Sequence, residues 1–276
     1  MPAFTLASYN IQYGLGQDGA YGLERIADAV ASADVICLQE CVQGIAALGG
    51  ADQARQIAER LNRYYVYGAA LDVDASSVGE DGRIENKRAR FGNAVLSRWP
   101  ILSTRTLNLP KPRREEAEDV GRCALETLID VEGLPLRVYS VHLTHNDDEI
   151  RRLQIEYLCE QVLLAPEIGT AFDGRPAGGL LGDPARVALP EAALICGDFN
   201  LPPDDAGHAL MARFFADTWR GGPAPAPTFH DAAVSPDRID YIWASNDLPL
   251  TVESTWIDRD VVGSDHFPIF ARLAQA

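Results

Sequence analysis

Short apolar runs with polar residues at their ends recur from one end of the chain to the other. Residues 4–10, 34–40, 91–97, 123–131, 136–143, 192–197, 238–244 and 267–273 are rich in Val, Ile, Leu and aromatics and read as buried strands. The run at 101–109 follows 91–97 closely and predicts a hairpin with it. The pair 123–131 and 136–143 predicts another, with Glu132-Gly133 as its tight turn. Helical spacing lies between the strands. Leu23, Ile26, Ala27 and Val30 recur at three- and four-residue steps, as do Ala54, Ile57, Ala58 and Leu61. The stretch 147–164 opens with an acidic turn and sets Ile150, Leu153, Tyr157, Val162 and Leu164 on one broad face. This mixture predicts an α/β fold of mixed or antiparallel sheets with helices outside. Three stretches have no clear period: the charged 72–90, 166–190, and the Gly/Pro segment 221–227. Loops of this length are commonly functional. None reads as a linker and no repeat is visible, so residues 1–276 are expected to form a single domain.

The strand ends carry the chemistry. One run ends at Asn10, the next at Glu40, a third at His142, a fourth at Asp198 followed by Phe199 and Asn200. Asp240 lies between Ile239 and Tyr241, and Asp265-His266 precedes the last run. Polar groups at strand ends can converge on one edge of a sheet, where clefts form. Each has a bland alternative, a turn cap for Asn10 or a satisfied core imidazole for His142, but together those alternatives require six coincidences. Asp198 and Asn200, two apart, would face one site if strand geometry persists. Glu40 and Asp265 are suitable oxygen ligands for a hard cation such as Mg²⁺. His266 backed by Asp240 fits an imidazole whose tautomer a carboxylate fixes. His142, Asn10 and Asn200 can donate hydrogen bonds to a phosphoryl group. The set suits metal-assisted attack of water on a phosphate ester.

Charge narrows the partners. The chain has 24 Lys plus Arg against 40 Asp plus Glu, a net charge of −16, which excludes nucleic-acid affinity through bulk charge. Most of the acid is expected to be solvated surface. The five cysteines are odd in number and form no CxxC pair, so zinc–thiolate and disulfide frameworks are not expected. Neither a signal peptide nor an apolar run long enough to span a bilayer is visible, and a cytoplasmic monomer is the expectation.

Seven motifs occur in order: Ser8-Tyr9-Asn10-Ile11-Gln12, Leu38-Gln39-Glu40, the block at 92–100, Val141-His142-Leu143-Thr144-His145, Gly197-Asp198-Phe199-Asn200, Arg238-Ile239-Asp240-Tyr241-Ile242, and Gly263-Ser264-Asp265-His266-Phe267-Pro268. In these the chain resembles the endonuclease/exonuclease/phosphatase superfamily with its DNase I-like fold. The resemblance implies a four-layer α/β/β/α sandwich and Mg²⁺-dependent cleavage of a phosphate mono- or diester, with Mn²⁺ as a possible substitute. It implies metal ligation by Glu40, with Asn10, Gln12 and Asp265 beside it. His266 would be the general base or phosphate-activating residue, oriented by Asp240. Asp198 would position or protonate a reacting oxygen, and Asn200 and His142 would hold the phosphate. It also puts Asn10, Asn93 and His145 beside the substrate. Gln12 stands where some nuclease relatives carry Asp, which argues against the apurinic-site branch.

A basic cluster (Arg83, Lys87, Arg88, Arg90) is expected to overhang the cleft and take one phosphate, through Arg88 in particular. With so acidic a chain, a small phosphoester or lipid-headgroup-like diester is favoured over long duplex DNA. Two alternatives remain: a nuclease on short or single-stranded nucleic acid, with Trp99, Trp219 or Trp243 stacking bases, and a non-catalytic binding module that keeps the fold.

Overall fold

A computed structural model describes residues 3–113, 120–170, 188–222, 226–231 and 233–275. The first half of the chain runs β1 (Phe4–Asn10), α1 (Leu23–Val30), β2 (Val35–Gln43), α2 (Gln53–Leu61), β3 (Tyr64–Asp74), β4 (Ser77–Val78), β5 (Ile84–Glu85), β6 (Arg88–Ser97) and β7 (Ile101–Asn108). The second half runs β8 (Cys123–Val131), β9 (Leu134–His142), α3 (Asp148–Ile168), β10 (Ala193–Asp198), α4 (Ala206–Met211), β11 (Phe215–Asp217), β12 (Asp240–Ser245), β13 (Leu250–Ile257) and β14 (Ile269–Gln275).

Two six-stranded mixed sheets result, ordered β13-β14-β1-β2-β6-β3 and β11-β12-β10-β9-β8-β7. They pack face to face through Phe4, Leu6, Val35, Cys37, Val95, Leu125, Val138, Leu194, Cys196 and Ile242. The opposite face of the first sheet carries Ala7, Tyr9, Ile36, Leu38 and Leu96 against Ile26, Val30 and Ile57 of α1 and α2. The opposite face of the second carries Tyr139, Val141, Ile195 and Trp243 against Ile155, Leu158 and Met211 of α3 and α4. Central strands are thus buried on both faces, which is why they read as unbroken apolar runs instead of alternating ones. The four-layer sandwich expected from the motifs is the observed architecture.

Two expectations about connections fail. The runs 91–97 and 101–109 do not form a hairpin. β6 pairs with β2 and β3 in one sheet, and β7 pairs with β8 in the other. The corner at Arg98-Trp99-Pro100 carries the chain between layers, and Trp99 packs edge-on against Phe4 at 5.6 Å. The stretch 72–90 is not an irregular loop. β3 and β6 stay paired out to Asp74 opposite Arg88, and β4 pairs with β5 beyond them. Charge pairs tie this arm together: Arg88 and Arg90 both hold Asp72, and Lys87 holds Glu85. The predicted hairpin at Glu132-Gly133 does form, with both residues at positive φ (53° and 90°). Residues 166–190 fall largely outside the described residues, although α3 continues to Ile168. Of 221–227, residues 223–225 also lie outside them.

Each sheet has one parallel pair at its centre, β1 with β2 and β9 with β10. The carboxyl ends of all four strands lie at one end of the sandwich. β12 begins there too, because Asp240 is the register partner of Asp198, which is in turn the partner of His142. Gly197 permits this crowding. A Cβ there would meet Val141 O at 1.9 Å, so β10 could not approach β9 with any side chain at that position.

Candidate active site

The strand ends open into one cleft of about 1040 Å³, lined by Gln12, Tyr13, Glu40, His142, His145, Asp198, Asn200, Phe229, Asp265 and His266 among others. Asn10 lies beneath it and joins the two sheets. Its Nδ2 donates to Glu40 Oε1 (3.2 Å) on the first sheet and to Asp198 Oδ2 (3.0 Å) on the second, while its Oδ1 accepts from the Gln12 amide (3.1 Å).

Glu40 sits in an irregularity of β2, between Leu38 and Cys41, in the left-handed region (φ 56°). This bulge turns its carboxylate into the cleft instead of into a sheet face. Burial raises its pKa, and the Asn10 amide partly opposes the rise. Burial likewise raises Asp265, which accepts from Ser264 Oγ at 3.3 Å. Among the described residues Glu40 takes a hydrogen bond only from Asn10. The carboxylates of Glu40 and Asp265 and the Gln12 side chain line one opening and form a hard oxygen donor set, which fits Mg²⁺ and suits soft metals poorly, whereas the Asn10 oxygen, expected beside the metal, is bonded to the Gln12 amide and its Nδ2 faces Glu40.

A second group, Asp198, Asp240 and His266, has ligand atoms within 4.8 Å of one another, all buried. Within it the imidazole lies between two carboxylates. His266 Nδ1 lies 2.9 Å from Asp240 Oδ2, and Nε2 lies 3.6 Å from Asp198 Oδ2. Burial alone would lower the His266 pKa, but Asp240, Asp198 and Asp265 outweigh it and push it up to about 10. Burial pushes Asp198 up to about 7, aided by Asp240 and opposed by His266, Asn10 and the Asn200 amide. The surroundings thus favour the charged form of His266 and the protonated form of Asp198 relative to their ordinary values. Asp240 Oδ1 is buried and has no hydrogen-bond partner among the described residues.

Asn200, at φ 53°, turns its backbone N–H onto Asp198 Oδ1 (2.9 Å), and its Nδ2 donates to Leu143 O (3.0 Å). It positions Asp198 through the main chain. His142 is buried, with Nε2 at 3.5 Å from Asp198 Oδ2 and 3.9 Å from Glu40 Oε1. Burial, with the charges of Arg122, His266 and His145, holds its pKa well below the ordinary value.

The structure thus brings together Asn10, Gln12, Glu40, His142, His145, Asp198, Asn200, Asp240, Asp265 and His266. Two expected substrate contacts are not part of the cleft. Asn93 is buried, and its Nδ2 donates to Cys123 O and Ser140 O (both 2.9 Å), stapling one sheet to the other. Arg88 is bonded to Asp72 and does not line the cleft. Sequence reasoning overlooked Tyr13, Phe229 and Arg122. Tyr13 follows Gln12 at positive φ on the cleft wall. Phe229 packs edge-on against His266 at 5.1 Å, and its neighbour Thr228 receives the Ile239 and Asp240 amides on Oγ1. The only signal for that segment was an apolar-polar Thr-Phe-His after the Pro-rich 221–227. Arg122 contacts both His142 and His145. In sequence it was one scattered basic residue among several.

Two packed mixed sheets, with a hard-oxygen corner and a His–Asp pair at their strand ends, define a phosphoester-hydrolase architecture. The profile of the Endonuclease/Exonuclease/phosphatase family matches residues 7–266. The chain belongs to that family and, as a member, is a hydrolase of phosphoester bonds. Solved structures share the fold. An endonuclease/exonuclease/phosphatase from Beutenbergia cavernae has a TM-score of 0.71 at 20% identity, over 100% of this chain and 72% of that one. A mannosyl-6-phosphatase from Bacteroides thetaiotaomicron has a TM-score of 0.62 at 20% identity, over 98% and 99%. The human Nocturnin catalytic domain with bound sulfate has a TM-score of 0.65 at 16% identity, over 100% and 95%. No curated protein matches the chain.

Proposed function

We propose that the chain is a Mg²⁺-dependent hydrolase of small phosphoesters, mono- or diesters of the size of a lipid headgroup. The observation that carries this is the joining of two chemically distinct corners, Glu40–Asp265 and Asp198–His266–Asp240, in one cleft by the Asn10 amide. Glu40 and Asp265, with the Gln12 oxygen, would hold Mg²⁺, and Asn10 would orient Glu40 through its Nδ2. When bound, the ion supplies positive charge that polarises the phosphoryl group. The protein's own residues do the rest. His266, charged and fixed by Asp240, donates from Nε2 to a phosphoryl oxygen as negative charge grows there. Asp198 accepts the proton of the attacking water as its oxygen bonds to phosphorus, a role suited to a pKa of about 7, while the P–O ester bond breaks and the leaving oxygen departs with the bonding pair and takes a proton from solvent. Asn200 aims Asp198, and His142 offers a further donor.

The size of the substrate follows from charge. At a net −16, with the arm's basic residues already paired to its own carboxylates, the surface repels long polyanions. The tryptophans considered for base stacking are engaged elsewhere. Trp243 is buried and stacked on Tyr241, and Trp219 lies beneath Arg238. All five cysteines are free and buried, consistent with a reducing, cytoplasmic setting. No helix among the described residues is long and apolar enough to cross a membrane. The test is a Mg²⁺-supplemented panel of nucleotides, sugar phosphates, inositol phosphates, phospholipids and supercoiled plasmid. Turnover of a small ester with slow or no nicking is expected. Rapid nicking abolished in Asp198→Ala would reject the small-substrate reading.

A further inference from the structure

Arg122 stands immediately before β8 and is 7% exposed. Its Nη1 lies 3.0 Å from His142 Nδ1 and 2.9 Å from His142 Nε2. A nitrogen equally close to both ring nitrogens cannot approach in the ring plane, where it would collide with Cε1. It therefore lies over the imidazole face, as planar guanidinium groups do on aromatic rings. The other terminal nitrogen, Nη2, lies 3.2 Å from His145 Nδ1. A guanidinium has no acceptor, so it is the donor. His145 Nδ1 is then the unprotonated nitrogen, and the ring proton sits on Nε2. His142 Nε2 faces two acceptors, Asp198 Oδ2 and Glu40 Oε1, which places its proton on Nε2 as well.

Both imidazoles line the cleft, together with the carboxylates of Glu40, Asp198, Asp204, Asp237 and Asp265. A phosphate entering so acidic a cleft needs a compensating positive field. A permanent charge with little solvent around it acts more strongly than an exposed one. We propose that Arg122 is a positioning residue of the phosphate subsite: stacked on His142 and bonded to His145 Nδ1, it holds the His142 ring in place, fixes His145 as an Nε2–H donor to the substrate's phosphoryl oxygens and supplies the charge behind both rings. This rests on reading the cleft as a phosphoester site and adds to it the residue that sets the anion-receiving corner.

The test uses the full chain, ¹⁵N-labelled, with Arg122→Met and Arg122→Lys. Long-range ¹H–¹⁵N correlation reads the histidine tautomers, calorimetric titration with inorganic phosphate reads the subsite, and steady-state kinetics separate KM from kcat. In the parent, His145 shows an unprotonated Nδ1 and a protonated Nε2. In Arg122→Met the two His145 nitrogens average, phosphate binds at least ~10-fold more weakly, as for a lost charge-assisted contact, and KM rises more than kcat falls. Arg122→Lys regains part of the phosphate affinity through its charge, but a point charge cannot stack and bond at once, so its His145 stays averaged. If Arg122→Met does not fold, Arg122→Lys decides by its tautomer. A folded variant with the parent's His145 tautomer and phosphate affinity overturns the proposal, as does a parent His145 protonated on Nδ1. Neither readout needs turnover. A chain inert towards every phosphoester would therefore reject the hydrolase reading while these two measurements still judge Arg122.

Discussion

Replacing Asp240 by Asn changes the charge behind His266 while keeping its shape. Asp240 Oδ2 lies 2.9 Å from His266 Nδ1, and this carboxylate is the largest of the contributions that raise the imidazole pKa to about 10. A hydrogen bond to a charged acceptor is worth about 1.5–3 kcal/mol and a neutral one about 1, so the imidazolium loses on the order of 1–2 kcal/mol of support. That corresponds to a pKa fall of about one unit. The Asn amide can also present its NH₂ group to Nδ1, which favours the neutral ring over the imidazolium and weakens the donor at Nε2, and this deepens the loss of activity. Together we expect kcat near pH 7 to drop about 30- to 100-fold, with the alkaline limb of the kcat profile moving down by about a unit. The fold should tolerate the change, because Asp240 Oδ1 is buried with no hydrogen-bond partner among the described residues and a neutral side chain lowers the cost of burial there. The assay is hydrolysis of bis-p-nitrophenyl phosphate or p-nitrophenyl phosphate at saturating Mg²⁺ from pH 5 to 10.5, alongside circular dichroism. A folded Asp240→Asn enzyme with kcat within threefold of the parent and an unmoved alkaline limb would refute the reasoning.

Other expected outcomes follow from single contacts. In the parent, kcat should rise with pH through about 7 as Asp198 loses its proton and fall near 10 as His266 loses its own; a profile with no rise across neutrality argues against Asp198 as the acceptor. Glu40→Gln should raise the Mg²⁺ concentration needed for half-maximal rate by ~10-fold or more; a parent-like Mg²⁺ titration would remove Glu40 from the metal site. Asn93→Ala should cost about 1–3 kcal/mol in urea unfolding, by removing its two buried hydrogen bonds to Cys123 O and Ser140 O, with KM unchanged; a raised KM at parent stability would return Asn93 to the substrate. Burial would raise the Asp217 pKa, but hydrogen bonds from His208 and Arg238 bring it down to about 2. Its stabilisation, about 2 kcal/mol, is thus present above the unfolded value near 3.9 and lost as pH falls towards 2. Asp217→Asn should flatten the stability profile in that window, and an unchanged profile counts against the pairing.

The fold and much of the site were legible because the central strands are covered on both faces. Leu6 faces the other sheet and Ala7 faces a helix, so the strand reads as one apolar run and its first polar residue marks the cleft. The same logic exposed Glu40, His142 and Asp198. It fails at the sheet edges. β3 is an edge strand with exposed Tyr64, Tyr65 and Val73, and its pattern carries no continuous run. It also fails where a charge is answered from far along the chain. Arg88 looked like an anion site because Asp72, sixteen residues earlier, is not near it in sequence. Asn93 lay inside a recognisable motif, yet its amide serves two backbone carbonyls across the sandwich. Arg122 had no sequence signal of any kind. Its meaning comes only from His142 and His145 meeting it in space.

The central claim is that Asp198 and the Glu40–Asp265 corner act on one small phosphoester in one cleft. The most direct measurement is the Mg²⁺ dependence of bis-p-nitrophenyl phosphate hydrolysis by the parent and by Asp198→Ala, with fold checked for both. The account predicts a rate that is lost with chelator, restored by Mg²⁺, and lowered at least ~10²-fold in the variant at every Mg²⁺ concentration. A rate indifferent to chelator, or one that Asp198→Ala leaves intact, would contradict it.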